Sequence, residues 1–265
     1  MTDNAARLSA SRLGLWVASA TAVVGVVSLV LSMTTPPRSG AFCSDGCIAY
    51  PYTDVAVYVP RDYLWMYPEV LLTLLFMALA VCLLHWVPPQ RRLPAAIAVC
   101  FAVIGGTVLV IDYGIQLTVL QPALPAGQTE GLSALTQYNP HGVFIALENI
   151  GYAVLGVAFL FLGAALTGGT SRLERTVRWV FTVGGALILT ALVLCATIYR
   201  AELDYRFEVV SLSITWLVLI MSASLLTVVF ARSRTGFTSH HPAVVADPTH
   251  QAIASTTPAN PRWGR

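Results

Sequence analysis

Charged residues are scarce in this sequence. Only 11% of its 265 residues are charged, 56% are hydrophobic, and the mean hydropathy is +0.71. A typical soluble domain has about 25% charged residues, so the composition excludes an ordinary soluble protein and predicts the lipid bilayer as a partner. No basic residues cluster as nucleic-acid binding requires, so nucleic acid is excluded as a partner.

Lysine is absent altogether, and all fifteen basic residues are arginine. This bias is typical of a GC-rich genome and favours a bacterial source. A nucleotide-binding loop, a zinc-protease helix and a serine nucleophile elbow are also missing. No enzyme class is therefore indicated by a motif.

Histidine and cysteine are too sparse or too far apart for a haem or metal centre. A haem between helices needs two histidines at one depth, but His85 falls at the inner end of the second apolar run and His141 at the outer end of the fourth. A structural zinc site needs four ligands, and no second pair accompanies Cys43 and Cys47. We therefore expect no cofactor and no metal.

Cys43 and Cys47 lie close together in the first outer loop, with a glycine between them. Oxidising conditions outside the cell permit a disulfide there. We expect the two thiols to be bonded, and the alternative is a pair of free thiols.

What the sequence has in abundance is long apolar runs. Six of them cover residues 14–33, 64–87, 94–120, 142–167, 178–199 and 208–231. About 20 apolar residues cross the hydrocarbon core as a helix, and these runs lack the alternation of barrel strands. Because lipid cannot hydrogen-bond an open backbone, the sequence predicts an all-α fold, a polytopic six-helix transmembrane bundle.

The segments around these runs divide the rest of the chain. We expect an N-terminal segment at 1–13, a transmembrane domain at 14–231 with outer loops at 34–63 and 121–141, and a tail at 232–265. The tail is rich in Pro, Ser, Thr and Ala without helical periodicity, which predicts disorder. The first outer loop is long enough to cover the helix ends as a cap.

Arginine is distributed unevenly between the two sides that the helices define. Nine arginines flank the helices on one side, and four, Arg38, Arg61, Arg200 and Arg206, flank them on the other. Arginine-rich loops stay in the cytoplasm. We therefore predict a multi-pass protein of the cell membrane with both termini cytoplasmic.

Polar side chains from five of the predicted helices fall at one depth, near the outer ends. They include Glu69, Asp112, Tyr113, Gln116, Glu148, Asn149, Tyr152, Tyr199, Arg200 and Glu208. A charged side chain inside the hydrocarbon costs about 2.5–3.5 kcal/mol on insertion scales, so such residues usually face the bundle interior or a wet cavity. The pattern predicts a pocket beneath the outer surface.

Within that pocket we predict Asp112 and Glu148 as the catalytic acid or base, because two deep acids are a costly way to join helices. Substrate binding is assigned to Glu69, Gln116, Asn149, Tyr152, His141 and Arg200.

Each assignment has an alternative. Glu69 lies near enough to the interface to be simply hydrated, and His141 can orient the start of its helix instead of binding a ligand. Arg200 either belongs to a solvated turn or leans inward and keeps a carboxylate ionised.

Three functions fit these features. The first is a pocket for a lipophilic or amphipathic small molecule, with acid–base catalysis as an extension. The second is a non-catalytic membrane subunit that binds a partner through its outer loops. The third is a transporter coupled to protons or cations, which the lack of a polar path through the inner halves disfavours.

The predicted orientation is testable at the C-terminus. A green fluorescent protein fused after Arg265 should fluoresce, and an alkaline phosphatase fused there should be inactive, because both report a cytoplasmic end. The same reporters placed within 121–141 should give the reverse result. An active phosphatase at the C-terminus would contradict the orientation.

Overall fold

A computed structural model describes residues 2–169, 171–203 and 205–238, and within these ranges the chain is helical and contains no strand. Six long helices follow one another: α1 Thr2–Met33, α2 Met66–Trp86, α3 Arg92–Ile115, α4 Val143–Ala165, α5 Arg172–Tyr199 and α6 Arg206–Thr238. All six are long and apolar enough to cross a membrane. The expected all-α architecture with six candidate spans is therefore observed.

Two helices begin well before their apolar runs. Helix α1 starts at Thr2, so most of the expected N-terminal segment 1–13 is helical. Helix α5 starts at Arg172, where the Ser171 side chain caps it by accepting the backbone N–H of Glu174 at 3.1 Å. The first turns of both are charged but contain good helix formers, which a search for apolar runs does not detect.

The last helix extends beyond its apolar run. Helix α6 reaches Thr238, which lies inside the segment 232–265 that was expected to be a disordered tail. Residues 239–265 lie outside the described residues.

Short helical turns occupy the connections. Helix α3 continues through a π-helical stretch at Gln116–Leu120 and a short turn at Gln121–Ala123. The 3₁₀ turns are Gly40–Phe42, Ala56–Tyr58, Arg61–Tyr63, Pro89–Arg91, Leu132–Ala134 and Arg200–Glu202. We call the end of the bundle that carries residues 34–65, 116–142 and 200–205 the loop end.

The helices form a ring in which each packs against the next and α6 packs against α1. Helix α4 also contacts α6 across the ring. At the end opposite the loop end, the Arg7 side chain donates to the carbonyl of Trp86 at 3.0 Å, and the Trp86 ring packs edge-on against Phe230. Inside this ring, α2, α3, α4 and α6 each contribute a buried acidic side chain near the loop end.

Glycine allows α4 to approach its neighbours closely. A Cβ on Gly185 of α5 would lie 2.5 Å from the carbonyl oxygen of Gly156, and a Cβ on Gly105 of α3 would lie 2.9 Å from that of Gly151. Small residues at such contacts are typical of helix packing in membranes. They bring the backbones of α3, α4 and α5 together, which places α4 at the centre of the site.

Gly185→Ala should destabilise the bundle by about 1–3 kcal/mol, because the added methyl group meets backbone atoms that cannot give way. The matched control is Gly114→Ala on α3, where a Cβ meets nothing within 4 Å. Thermal unfolding of both purified variants in detergent measures the difference. Equal stability of the two variants would contradict the close approach of α4 and α5.

Candidate functional site

Glu69, in the first turn of α2, is held by donors from two other helices. Its Oε2 accepts the indole N–H of Trp216 at 2.8 Å, and its Oε1 lies 3.3 Å from the hydroxyl of Tyr152. All three side chains are buried. Because a buried carboxyl group is costly without hydrogen bonds, these contacts fix α2 to both α4 and α6.

Tyr113 of α3 connects two side chains of α4. Its hydroxyl donates to Oε1 of Glu148 at 2.7 Å and lies 2.6 Å from the hydroxyl of Tyr152. The result is a continuous chain of hydrogen-bonding groups from Glu148 through Tyr113 and Tyr152 to Glu69. We call these four residues the hydrogen-bonded chain.

The hydrogen-bonded chain needs one proton more than its tyrosines supply. It contains three contacts, but each tyrosine hydroxyl brings a single hydrogen. For all three contacts to be hydrogen bonds, either Glu69 or Glu148 must carry a proton. The chain can therefore accommodate one additional proton, on Glu69 or on Glu148.

Two further carboxyl groups lie close to Glu148, at one end of the hydrogen-bonded chain. Glu208 of α6 lies within hydrogen-bonding reach of Glu148, and Asp112 of α3 is close enough to interact electrostatically with both. Oδ2 of Asp112 and Oε2 of Glu148 are buried without a hydrogen-bond partner. We call Asp112, Glu148 and Glu208 the carboxyl cluster.

The carboxyl cluster has no buried cation beside it. None of the arginine or histidine side chains that the structure describes is fully buried. Unpaired buried charge is strongly unfavourable, so the cluster requires protons or a bound cation to be stable.

A cleft of about 310 Å³ opens at the loop end, where α1 ends and α6 begins. Its walls are partly apolar, with Phe42, Trp65, Val209 and Leu212, and partly polar, with residues that include Glu208. Glu208 is 8% exposed, whereas Asp112 and Glu148 are 1% exposed or less. Glu208 is thus the member of the carboxyl cluster that the cleft reaches.

The loops form a cap beside this cleft, held by a buried carboxylate. Asp62 is ion-paired with Arg38, whose Nη2 donates to Oδ1 at 3.0 Å, and Asp62 Oδ2 accepts the hydroxyl of Tyr138 at 3.1 Å. The Arg38 guanidinium also lies 3.4 Å from the ring centroid of Tyr58. The hydrogen bond that Arg38 donates to Asp62 raises the pKa of Arg38, and burial raises the pKa of Tyr138.

A second set of contacts joins the cap to the start of α6. The Tyr205 hydroxyl donates to the carbonyl of Gln137 at 2.9 Å and lies 2.8 Å from the hydroxyl of Ser39, which donates to the carbonyl of Tyr138 at 2.6 Å. Burial raises the pKa of Tyr205. Three loops are therefore linked immediately above Glu208. The same cap contains a disulfide between Cys43 and Cys47.

Gln116, assigned to substrate binding from the sequence, anchors a loop in the structure. Its side chain donates to the carbonyl of Leu135 at 2.6 Å and accepts the N–H of Gln137 at 3.2 Å. Both hydrogen-bonding ends of the amide are therefore engaged by the backbone of the loop that connects α3 to α4.

Asn149 and His141 lie together in a separate small pocket of about 220 Å³. His141 is exposed and its backbone N–H donates to Oδ1 of Asn139 at 3.0 Å, while Oδ1 of Asn149 is buried without a partner. These two residues do not line the cleft beside Glu208.

Arg200 lies at the end of α5 and is exposed. Among the described residues no carboxyl group of the cluster interacts with it. This position matches the solvated turn, which was the alternative to an inward-leaning arginine.

The structure thus brings together Glu69, Asp112, Glu148 and Tyr152, and it leaves Gln116, Asn149, His141 and Arg200 outside the hydrogen-bonded chain. Residues that the sequence assignments missed are Tyr113, Trp216, Arg38 and Asp62. Tyr113 directly follows Asp112, which was a usable signal. Tyr113 and Glu208 were noted at the right depth but were not assigned to the site.

No protein-family model matches this chain, and no curated protein or solved structure matches it at a significant level.

Tyr113→Phe should lower the free energy of unfolding by about 1–2 kcal/mol, because it removes the donor to Glu148 and the contact with Tyr152. The control is Tyr50→Phe in the first loop, where the side chain is 74% exposed and the loss should stay within about 0.5 kcal/mol. Unfolding of both variants in detergent measures the difference. An unchanged stability of Tyr113→Phe would exclude the hydrogen-bonded chain.

Proposed function

We propose that the cleft beside Glu208 binds an amphipathic small molecule. The polar head lies at Glu208, and the apolar part follows Phe42, Val209 and Leu212. The observation that carries this proposal is a cleft of about 310 Å³ with a carboxyl group in its lining and two more behind it. Ligand pockets typically have volumes of about 300–1,000 Å³ and combine apolar walls with few polar groups.

Acid–base chemistry on the bound molecule is a natural extension of this proposal. Glu208 is the carboxyl group in contact with the cleft, and it can exchange a proton with Glu148 within hydrogen-bonding reach. A general acid or base must lie within hydrogen-bond reach of the proton that it moves. We therefore assign direct contact with substrate to Glu208, and the supply or uptake of protons to Glu148 and Asp112.

The cleft belongs, in this proposal, to the outer half of a bacterial cell membrane. The uneven distribution of arginine supports that orientation, with both termini cytoplasmic. The cleft lies between the ends of two neighbouring helices, so an amphipathic molecule can enter it sideways from the bilayer with its head at the interface.

Transport is less favoured as a function. Beneath the hydrogen-bonded chain the bundle is filled by aromatic rings: Phe76 and Phe159 have centroids 5.2 Å apart, and Phe159 and Phe181 have centroids 5.7 Å apart. In the described part of the helices no buried Asp, Glu, Arg or His lies deeper than this layer. A path for ions toward the opposite end is therefore lacking in this conformation.

Partner binding through the outer loops is a second candidate, and exposed apolar residues favour it. Tyr50 and Val57 of the first loop are 74% and 80% exposed. Arg38 and Asp62 link this loop to the rest of the cap. The loop is therefore held in one conformation, which a partner could bind.

A bulky side chain that fills the cleft tests the binding proposal. Leu212→Trp should fill the cleft and abolish the thermal stabilisation that single-chain amphiphiles give to the wild-type protein. Leu217→Trp is the matched control, because it lies on the same helix with its side chain 54% exposed outside the cleft. Purified protein is screened against cationic, neutral, zwitterionic and anionic twelve-carbon amphiphiles. Stabilisation that survives Leu212→Trp in every case would reject the cleft as the binding site.

A further inference from the structure

An apolar groove of about 360 Å³ lies on the outside of the bundle, between α5 and α6. We call it the α5–α6 groove. Its walls include Trp179, Val183 and Leu187 of α5 and Leu217 and Met221 of α6. These five side chains are between 48% and 56% exposed, so no described part of the chain covers them. The groove is therefore open to a molecule from outside the bundle.

The α5–α6 groove covers about half of the thickness of a membrane. Its lining on α5 extends from Thr176 to Leu187, and a helix rises about 16 Å over that distance. The hydrocarbon core of a bilayer is about 30 Å thick, so the groove matches the depth of one leaflet. One acyl chain of a phospholipid fits this depth, whereas a partner helix that crossed the whole core would extend well beyond the groove.

Arginine residues lie at the end of the groove where α5 begins. Arg172 precedes Thr176 by one helical turn, and Thr176 lines the groove. Arg175 precedes Trp179 in the same way, and residues four apart share a helix face. Both arginines are exposed. Because side chains on a helix tilt toward its N-terminus, these two extend from the groove toward the membrane surface, where tryptophan is also enriched.

No acidic side chain neutralises this end of the groove. Neither Arg172 nor Arg175 forms an ion pair with a residue that the structure describes. Glu174 is in the same turn of α5, but its carboxyl group lies against Gly169 and lines a different pocket together with Arg7. The surface beside the apolar groove is therefore positively charged.

We propose that the α5–α6 groove binds one acyl chain of an anionic phospholipid, with the phosphate group at Arg172 and Arg175. Arginine forms strong, often bidentate, hydrogen bonds to phosphate, and basic side chains at a membrane surface attract anionic lipids. A zwitterionic headgroup would bring a positive charge to the same two arginines. The site is separate from the cleft beside Glu208, so it does not rest on the proposed function.

The test compares two phospholipids with identical chains, dioleoyl phosphatidylglycerol and dioleoyl phosphatidylcholine. The purified full chain in detergent is titrated with each lipid, and native mass spectrometry measures the bound fraction. Phosphatidylglycerol should bind at least about tenfold more tightly, because each arginine beside an anionic lipid contributes roughly fivefold. Equal affinities for the two lipids would overturn the proposal.

Charge variants locate the headgroup. Arg172→Gln combined with Arg175→Gln should lower the affinity for phosphatidylglycerol to that for phosphatidylcholine. Arg12→Gln combined with Arg91→Gln is the matched control, because it removes two exposed arginines at the same end of the bundle that do not line the groove. This control should keep the preference for phosphatidylglycerol. An equal loss in both double variants would indicate diffuse attraction to positive charge and would overturn the site.

A tryptophan in the groove locates the acyl chain. Val183→Trp should weaken the binding of both lipids at least about fivefold, because the chain loses its apolar contacts there. Val193→Trp is the matched control, since it makes the same change on α5 at a position that is 60% exposed outside the groove. If Val183→Trp does not fold, Leu187→Trp is measured in its place with the same expectation.

Two results of this comparison would reject the groove. Lipid binding that is unchanged in the groove variant would place the lipid elsewhere on the bundle. A dimer in the mass spectra that Val183→Trp dissociates would mean that a second copy of the chain occupies the groove, and this would also overturn the lipid proposal.

Discussion

Four carboxyl groups lie inside an apolar helical bundle in which no described arginine or histidine side chain is buried, and the loop end depends on this constraint. Glu69, Asp112, Glu148 and Glu208 come from four different helices, and each is costly to bury unless protons, hydrogen bonds or a ligand compensate it. The tyrosine hydroxyls and the indole of Trp216 meet part of that need. The carboxyl oxygens that still lack partners belong to the carboxyl cluster, which lies beside the cleft.

The cap also contains a buried carboxylate, but this one has hydrogen-bonding partners. Asp62 is buried, but it has a full set of partners: Arg38, the hydroxyl of Tyr138 and the side chain of Gln137, which donates to its backbone carbonyl at 3.4 Å. The carboxylate of Asp62 is therefore satisfied, whereas Oδ2 of Asp112 and Oε2 of Glu148 in the carboxyl cluster are not. A buried site whose polar groups lack partners is where a ligand gains most from binding, because the desolvation of those groups has already occurred on folding and a donor on the ligand does not have to compete with water.

Several parts of the site could be predicted from the sequence. The depth of Asp112, Glu148 and Glu69 follows from the rise of a helix, about 1.5 Å per residue, and the structure brings these residues together. The role of Gln116 could not be predicted, because its partners are backbone atoms of a loop distant in sequence. Trp216 was missed because an aromatic residue in an apolar run looks like any other packed or lipid-facing side chain. Tyr113 lay at the right depth beside Asp112, but which side chains it joins depends on how α3 packs against α4.

The sequence by itself determined the number of helices and the depth of the ionisable side chains, because hydropathy and helical rise act locally along the chain. Only the tertiary structure decided which carboxyl groups meet, which of them reaches the cleft, and that Arg38 pairs with Asp62 instead of with the cluster. Those outcomes depend on how the helices rotate about their axes and on close approach at Gly156 and Gly185. No periodic pattern in the sequence specifies such contacts between distant segments.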